Sequence, residues 1–385
     1  MEKVALLKCT EYDVDIIEKK LREGFELLGG ETFLKTLIPK DSKVLLKPNL
    51  LSVIEKGSPV ITHYAFFEAV IRIVKEYSNN IVFGDSPGSE DTRKAAENSG
   101  LMEVANKYGV EFVDFNEEVH VELENPIMYK YWNIAKAPYE ADVVITLPKL
   151  KTHAMMYYTG AVKNQFGCIP GRKKAEWHTK LPEPIKFSKM LLDLNSVVKT
   201  SFAILDGIIA MEGNGPRNGT PKKMDTIIMG KCLSAVDSTA VRLIGYDMVL
   251  EVPFLNVAHE TKWGAVLPEE IEVLGEKIEK MRCKNFKLSR NAKVVNFLTP
   301  TLNNLVSSLT APNPVLVEDK CVGCKKCDEV CPERPKVITF VEKDKKLRPK
   351  WNYSSCIRCF CCQELCPKGA IETKHKAISK RFGVK

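Results

Sequence analysis

Eight cysteines fall in two runs of identical spacing. Cys321, Cys324, Cys327 and Cys331 precede Pro332, and Cys356, Cys359, Cys362 and Cys366 precede Pro367. In the pattern C-x2-C-x2-C-x3-C-P, three thiolates take three corners of one iron–sulfur cubane, and the fourth ligates the neighbouring cluster. The expected sets are Cys321, Cys324, Cys327 and Cys366 for one [4Fe–4S] cluster, and Cys356, Cys359, Cys362 and Cys331 for the other. Zinc on the CxxC pairs is the competing reading, and the doubled run is far more specific to clusters. Cys361 is an extra thiol beside Cys362, read as a residue packed near the cluster.

A second concentration of chemistry runs from Lys149 to His178. It holds Lys149, Lys151, Lys163, Arg172, Lys173 and Lys174 with His153 and His178, interleaved with Tyr157, Tyr158, Phe166 and the glycines 160, 167 and 171. Lysines supply point charges for carboxylate or phosphate. Histidine can move protons near neutral pH, and glycines let backbone approach a ligand. The combination reads as a pocket for a small anionic molecule. Basic surface loop over core aromatics is the plainer reading.

These residues need a scaffold. Alternating apolar runs read as strands at 4–9, 43–46, 80–83, 110–115, 141–147, 202–205 and 224–229, with helices at 13–28, 63–77, 91–108, 185–199 and 235–244. Repeated βα units predict an α/β fold, a mainly parallel sheet with helices on both faces. The C-terminal part, whose doubled cysteine run resembles bacterial ferredoxins, is by that resemblance expected to be a small α+β domain. The expected divisions are an α/β domain over 1–283, a connector over 284–314 with a helix across 293–309, the cluster domain over 315–375 and a basic tail over 376–385. Ligands of open α/β sheets bind beyond the carboxyl ends of strands. Lys47 and Asn49, Asp85 and Ser86, Lys149, Lys151 and His153, and Asp206 are all expected at such ends. Asn164, His178 and Lys163 join them, with Glu212 and Asp237 as further carboxylates. The stretch from Asp206 to Pro216 lacks the GxGxxG placement, and the chain has no GxxxxGK[ST] loop, so neither an NAD nor an ATP site is predicted.

Composition narrows the partners. The 385 residues carry a net charge of +8, and residues 320–385 alone hold 17 Lys and Arg against 7 Asp and Glu. Two oxidised clusters with their thiolates would add about −2 each, which leaves this part basic. The lysines are not interleaved with stacking aromatics, so nucleic acid is disfavoured. Docking of an acidic electron carrier, a ferredoxin or flavodoxin, is the preferred expectation, and a merely solvated basic face is the alternative. No apolar run reaches the length of a spanning helix. The N-terminus reads as a first strand rather than a signal peptide, so a cytoplasmic protein is expected. Nine of the 13 cysteines lie between Cys321 and Cys366, and such clustering in that compartment suggests metal before disulfides.

The segments KPNLL, GDSPG, LPKLKTH, YTGAVKNQFG, ILDGI, EGNGP and AVDSTA, in this order and followed by the doubled cysteine run, resemble the DUF362 family of iron–sulfur proteins over roughly residues 1–375. The resemblance implies an architecture and site positions, not a substrate. Residues 312–375 resemble a two-cluster bacterial ferredoxin domain, which implies electron transfer. His153, ten residues before Lys163, is similar to a short stretch of nickel-pincer lactate racemases. There a histidine is the acid/base and a lysine holds the cofactor, which implies a small 2-hydroxy or 2-oxo acid and proton chemistry, without carrying over the nickel group.

The leading expectation is an oxidoreductase that passes electrons through two clusters to a small anionic substrate or further cofactor in the α/β domain. His153, Lys163, Glu212 and Asp85 are the expected catalytic groups, and Lys47, Asn49, Lys149, Lys151, Asn164, His178 and Asp206 the binding ones. An electron relay or maturation subunit is one alternative. A non-redox acid/base enzyme with structural clusters is the other.

Overall fold

Successive residues of a strand face opposite sides of a sheet, and here both sides are apolar. In β1 (Glu2–Lys8), Val4 and Leu6 enter one core and Ala5 and Leu7 the other. The structure, a computed structural model, describes residues 1–88, 91–171, 173–289 and 312–374.

The central strands are β2 (Val44–Pro48), β3 (Ile81–Phe83), β4 (Glu111–Phe112), a hairpin of β5 (Glu118–Glu122) and β6 (Tyr131–Ala135), then β7 (Val143–Leu147), β8 (Lys149–His153), β9 (Tyr157–Thr159), β10 (Phe202–Glu212), β11 (Thr220–Gly230) and β12 (Ile271–Gly275). The main sheet has the order β12-β1-β11-β10-β7-β2-β3-β4. Along this order the pairs are parallel except where β11 meets β1 and β10, and β8 joins the same sheet parallel to β10 and antiparallel to β9. Helices Val14–Leu28 and Tyr64–Val74 cover one face, and Pro184–Val198, Leu233–Leu243 and Pro253–Glu260 the other. This is the α/β architecture expected from the sequence.

Local signals explain the helix starts. The Asp13 carboxylate accepts the backbone N–H groups of Asp15 and Ile16, both at 3.0 Å, and so caps the first helix. The single helix expected over 91–108 is two, Thr92–Asn98 and Leu101–Tyr108. Gly100, at φ 81°, takes the left-handed conformation that breaks it. The strand expected at 110–115 pairs only over Glu111–Phe112.

The largest departure from expectation concerns 149–153. This stretch is not a loop beyond the strand end but strand β8, which continues from β7 past Pro148. β10 likewise does not stop at Leu205. It runs on to Glu212 beside β8, with a register shift between Asp206 and Met211. The pair projects past the sheet's carboxyl edge and carries Lys151 and His153 with it.

Residues 312–374 form the small α+β unit. Strands β13 (Asn313–Leu316) and β16 (Ile371–Lys374) pair antiparallel, as do β14 (Ile338–Lys343) and β15 (Lys346–Trp351), with short helices at Lys326–Glu329 and Cys361–Glu364. The expected helix at 293–309 and the basic tail lie outside the described residues. Among the described residues no helix is long and apolar enough to cross a membrane.

Candidate active site

The cysteines sort themselves by space, not by run. One small cavity is lined by Cys321, Cys324, Cys327 and Cys366, and another by Cys331, Cys356, Cys359 and Cys362. The fourth cysteine of each run thus sits with the first three of the other. Both runs also fold alike. Gly323 and Arg358 share one motif position, Lys325 and Phe360 another, and all four have left-handed φ between 57° and 77°. Left-handed backbone costs a residue with a Cβ roughly 1–2 kcal/mol. Three of the four accept that cost, and the loops curl around the thiols. None of the 13 cysteines is joined to another in a disulfide. An all-thiol set in two apolar hollows fits iron–sulfur clusters.

A much larger cavity, about 420 Å³, opens between the two units. Its α/β side carries Asn49, Asp85, Lys151, His153, Lys163, Asn164, Lys174 and His178. Its other side carries Cys331, Arg334, Cys361 and Glu364. A wall of the cavity is therefore also a wall of the second cysteine set.

His153 is 2% exposed and its orientation is fixed by backbone. Nδ1 accepts the N–H groups of Met155 at 3.1 Å and Met156 at 3.2 Å. These donors require a lone pair on Nδ1 and assign the ring proton to Nε2. Among the described residues Nε2 has no hydrogen-bond partner, and it lies 3.8 Å from a Glu364 carboxylate oxygen. Burial, reinforced by Lys163, His178 and Lys151, holds the imidazole well below its usual pKa. His153 thus lines the cavity with its Nδ1 lone pair already engaged and its ring proton on Nε2.

Lys163 is buried, with its ammonium 5.1 Å above the Phe166 ring and 5.8 Å from that of Phe187. No carboxylate forms an ion pair with it among the described residues. Burial lowers its pKa, opposed chiefly by Glu364. Lys151 donates to the Asn49 side-chain oxygen at 2.6 Å and the Val60 carbonyl at 2.7 Å. Burial brings its pKa down to about 7. Asn49 donates in turn to Asn164 at 3.0 Å, and Asn164 is anchored on Thr146 at 2.8 Å. His178 stacks on Phe187, its Nδ1 has no partner, and burial brings its pKa down to about 3.

Other expected site residues lie elsewhere. Lys47 is fully buried behind the cavity and pairs with Asp85 at 2.8 Å. The second oxygen of Asp85 accepts the Leu50 N–H at 2.9 Å, so Asp85 reaches the cavity wall with both oxygens engaged. Lys149 and Asp206 form a closed pair at 2.7 Å, shared with the Tyr12 hydroxyl. The register shift between β8 and β10 separates this pair from Lys151. Glu212 accepts the Lys287 N–H at 2.8 Å and holds that segment rather than a ligand. Asp237 accepts Ala161 N–H, Val162 N–H and the Tyr158 hydroxyl, which positions the turn carrying Lys163.

Gly160 and Gly167 make room for neighbouring side chains, whereas a Cβ on Gly171 would meet nothing within 4 Å. A Cβ on Gly160 would lie 2.1 Å from an Asp237 oxygen, and one on Gly167 1.9 Å from an Asp85 oxygen and 2.7 Å from the Lys47 ammonium. Gly167→Ala should therefore part the buried Lys47–Asp85 pair and cost about 3 kcal/mol or more. Anaerobic denaturant unfolding checks this, and a change within 0.5 kcal/mol would contradict the packing described.

Sequence reasoning missed Glu364 and Arg334 as cavity residues, whereas Lys174 of the basic 149–178 stretch does line the cavity. It also missed how the units join. Gln363, fully buried, donates to the Asn214 side chain at 2.8 Å and the Gly215 carbonyl at 3.1 Å, and its own carbonyl accepts from Asn218 at 3.1 Å. The EGNGP segment is thus a docking loop. A glutamine between a cysteine of the repeat and an acid was the available signal.

Residues 44–242 match the domain of unknown function DUF362, and residues 313–367 the 4Fe-4S dicluster domain. The chain belongs to the DUF362 family. This DUF362 protein is 33% identical over 248 residues to the thylakoid-associated protein sll1697 of Synechocystis sp., a match covering 64% of this chain and 76% of that one. It is also similar to the lactate racemase apoprotein of Thermoanaerobacterium thermosaccharolyticum, at 12% identity and a TM-score of 0.36 over 55% of this chain and 51% of that one. A Thermotoga maritima protein matches at 12% identity and a TM-score of 0.35, over 53% and 52%. The chain spans about half the length of these two structures, and such scores carry nothing about activity. The DUF362 segments named from the sequence converge here: KPNLL and YTGAVKNQFG supply Asn49, Lys163 and Asn164, and LPKLKTH supplies Lys151 and His153.

Proposed function

We propose that this iron–sulfur protein is an oxidoreductase that delivers electrons to a small anionic substrate held between its two units. The observation that supports this most is the shared wall. Cys331 borders both the second cysteine hollow and the cavity that holds His153 and Lys163. Two [4Fe–4S] clusters, held by Cys321, Cys324, Cys327 and Cys366 and by Cys331, Cys356, Cys359 and Cys362, would supply single electrons.

The cavity residues divide the remaining work. Lys163 and Lys151 attract the anion. The His153 Nε2–H donates to an oxygen that gains negative charge on reduction, a role suited to a neutral buried imidazole. Lys151, with a pKa of about 7, is matched to releasing a proton near neutral pH.

A pH dependence follows. Anion binding needs the Lys151 ammonium, which Glu364 and Asp85 favour and Lys163 and Lys149 oppose. Lys174, also brought to about 7 by burial, acts in the same sense. Affinity for a small carboxylate should hold below pH 7 and fall as pH rises above it, with proton uptake on binding. Calorimetry in buffers of different ionisation enthalpy measures both, and binding that is flat from pH 6 to 9 (about two decades past such a pKa) would contradict it.

The activity test is steady-state oxidation of a reduced carrier by catalytic amounts of protein, with small carboxylates and phosphorylated acids added in turn. One class should accelerate it. Stimulation by none of them, with fast carrier exchange, would favour the relay reading.

A further inference from the structure

The two cysteine hollows differ in what surrounds them. The Cys321, Cys324, Cys327 and Cys366 hollow is rimmed by Lys325, Lys326 and Lys368 and by no carboxylate. The other hollow has no lysine in its lining and one acid, Glu333. Exposure is equally one-sided. Cys324 is exposed and Val322 near it is 50% exposed, whereas the other set has no exposed cysteine, Cys356 being half-buried, and its Cys331 lines the large cavity. Lys326 pairs with Glu329 at 3.0 Å, but Lys325 and Lys368 make no ion pair among the described residues.

We infer that the two sets have fixed and different duties: the lysine-rimmed surface around Cys324 is the docking face for a small acidic one-electron carrier protein, and electrons enter there and leave on the Cys331 side. This rests on the oxidoreductase reading and assigns its partner to a surface. Each encounter moves one electron, so the carrier is oxidised by one and the Cys324-side centre reduced by one, with no proton required. An exposed apolar residue beside Lys325 and Lys368, which have no ion-pair partner among the described residues, suits such a partner, since the charges steer encounter and the apolar contact excludes water.

The test uses fully loaded protein, no small acid, and a reduced acidic ferredoxin as probe. Stopped-flow absorbance follows electron transfer to the oxidised protein. In Lys325→Glu/Lys368→Glu the second-order rate at low ionic strength should fall about tenfold or more. Reduction by photogenerated neutral deazaflavin radical should be unchanged. An unaltered ferredoxin rate would overturn the assignment. Should that variant not load its iron, Lys325→Gln/Lys368→Gln and the wild-type salt dependence decide: a wild-type rate that does not fall as ionic strength rises also overturns it. Because no substrate is present, either result is independent of what the cavity does.

Discussion

Cys331→Ser should remove the cavity-side centre and leave the other intact. By sequence Cys331 belongs with Cys321, Cys324 and Cys327, but it lines the hollow of Cys356, Cys359 and Cys362. The variant should retain about half the iron, and its reduced spectrum should lose the features of two interacting centres. Reduction by an external donor should persist, and oxidation by the cavity substrate should fall by about 100-fold or more. Cys356→Ser should reproduce this phenotype. Cys366→Ser should give the reverse, losing the surface-side centre. If each run served its own cluster, Cys331→Ser would instead match Cys321→Ser, and iron analysis with electron paramagnetic resonance separates the patterns.

The second large effect sets two buried lysines against each other. Among the described residues the Lys163 ammonium lies against aromatic rings and the cavity with no ion-pair partner, whereas Lys149 is 2.7 Å from the Asp206 carboxylate. A buried charge without a partner costs stability, so Lys163→Met should leave the protein equally stable or more so. It should lower kcat/KM by about 100-fold, the effect of one charge-assisted contact worth up to ~3 kcal/mol. Lys149→Met should do the opposite. It strands Asp206 in the interior and should destabilise by about 3–5 kcal/mol, with little direct effect on substrate affinity. Unfolding midpoints and steady-state kinetics on the same preparations check both signs. Equal destabilisation by the two substitutions would mean that Lys163 is a structural residue.

What the sequence made legible follows from how local each signal is. The cysteine spacing is a contiguous pattern with one chemical meaning, and the cysteine grouping in space matches its pairing rule. Asp13 before an apolar stripe marks a helix start because capping is a contact over two or three residues. Lys149 and Lys151 were not separable in advance. Two residues apart on one strand, they are expected on the same face, and the register shift against β10 leaves one paired with Asp206 and the other on the cavity. The glycines of YTGAVKNQFG suggested a ligand approaching backbone, whereas their neighbours are carboxylates more than 70 residues away in one case and more than 80 in the other. Glu364 was hidden because it belongs to the cluster repeat, and its position opposite His153 exists only once Gln363 docks against Asn214.

The most direct measurement is single-turnover reoxidation. The loaded protein is reduced anaerobically, excess reductant is removed, and visible absorbance is followed as small acids are added one class at a time. If electrons leave through the cavity, one class should reoxidise the protein rapidly, and Lys163→Met should slow that reaction about 100-fold without changing the starting spectrum. Reoxidation at equal rates in wild type and Lys163→Met, or by no acid at all, would contradict a reducing site between the two units.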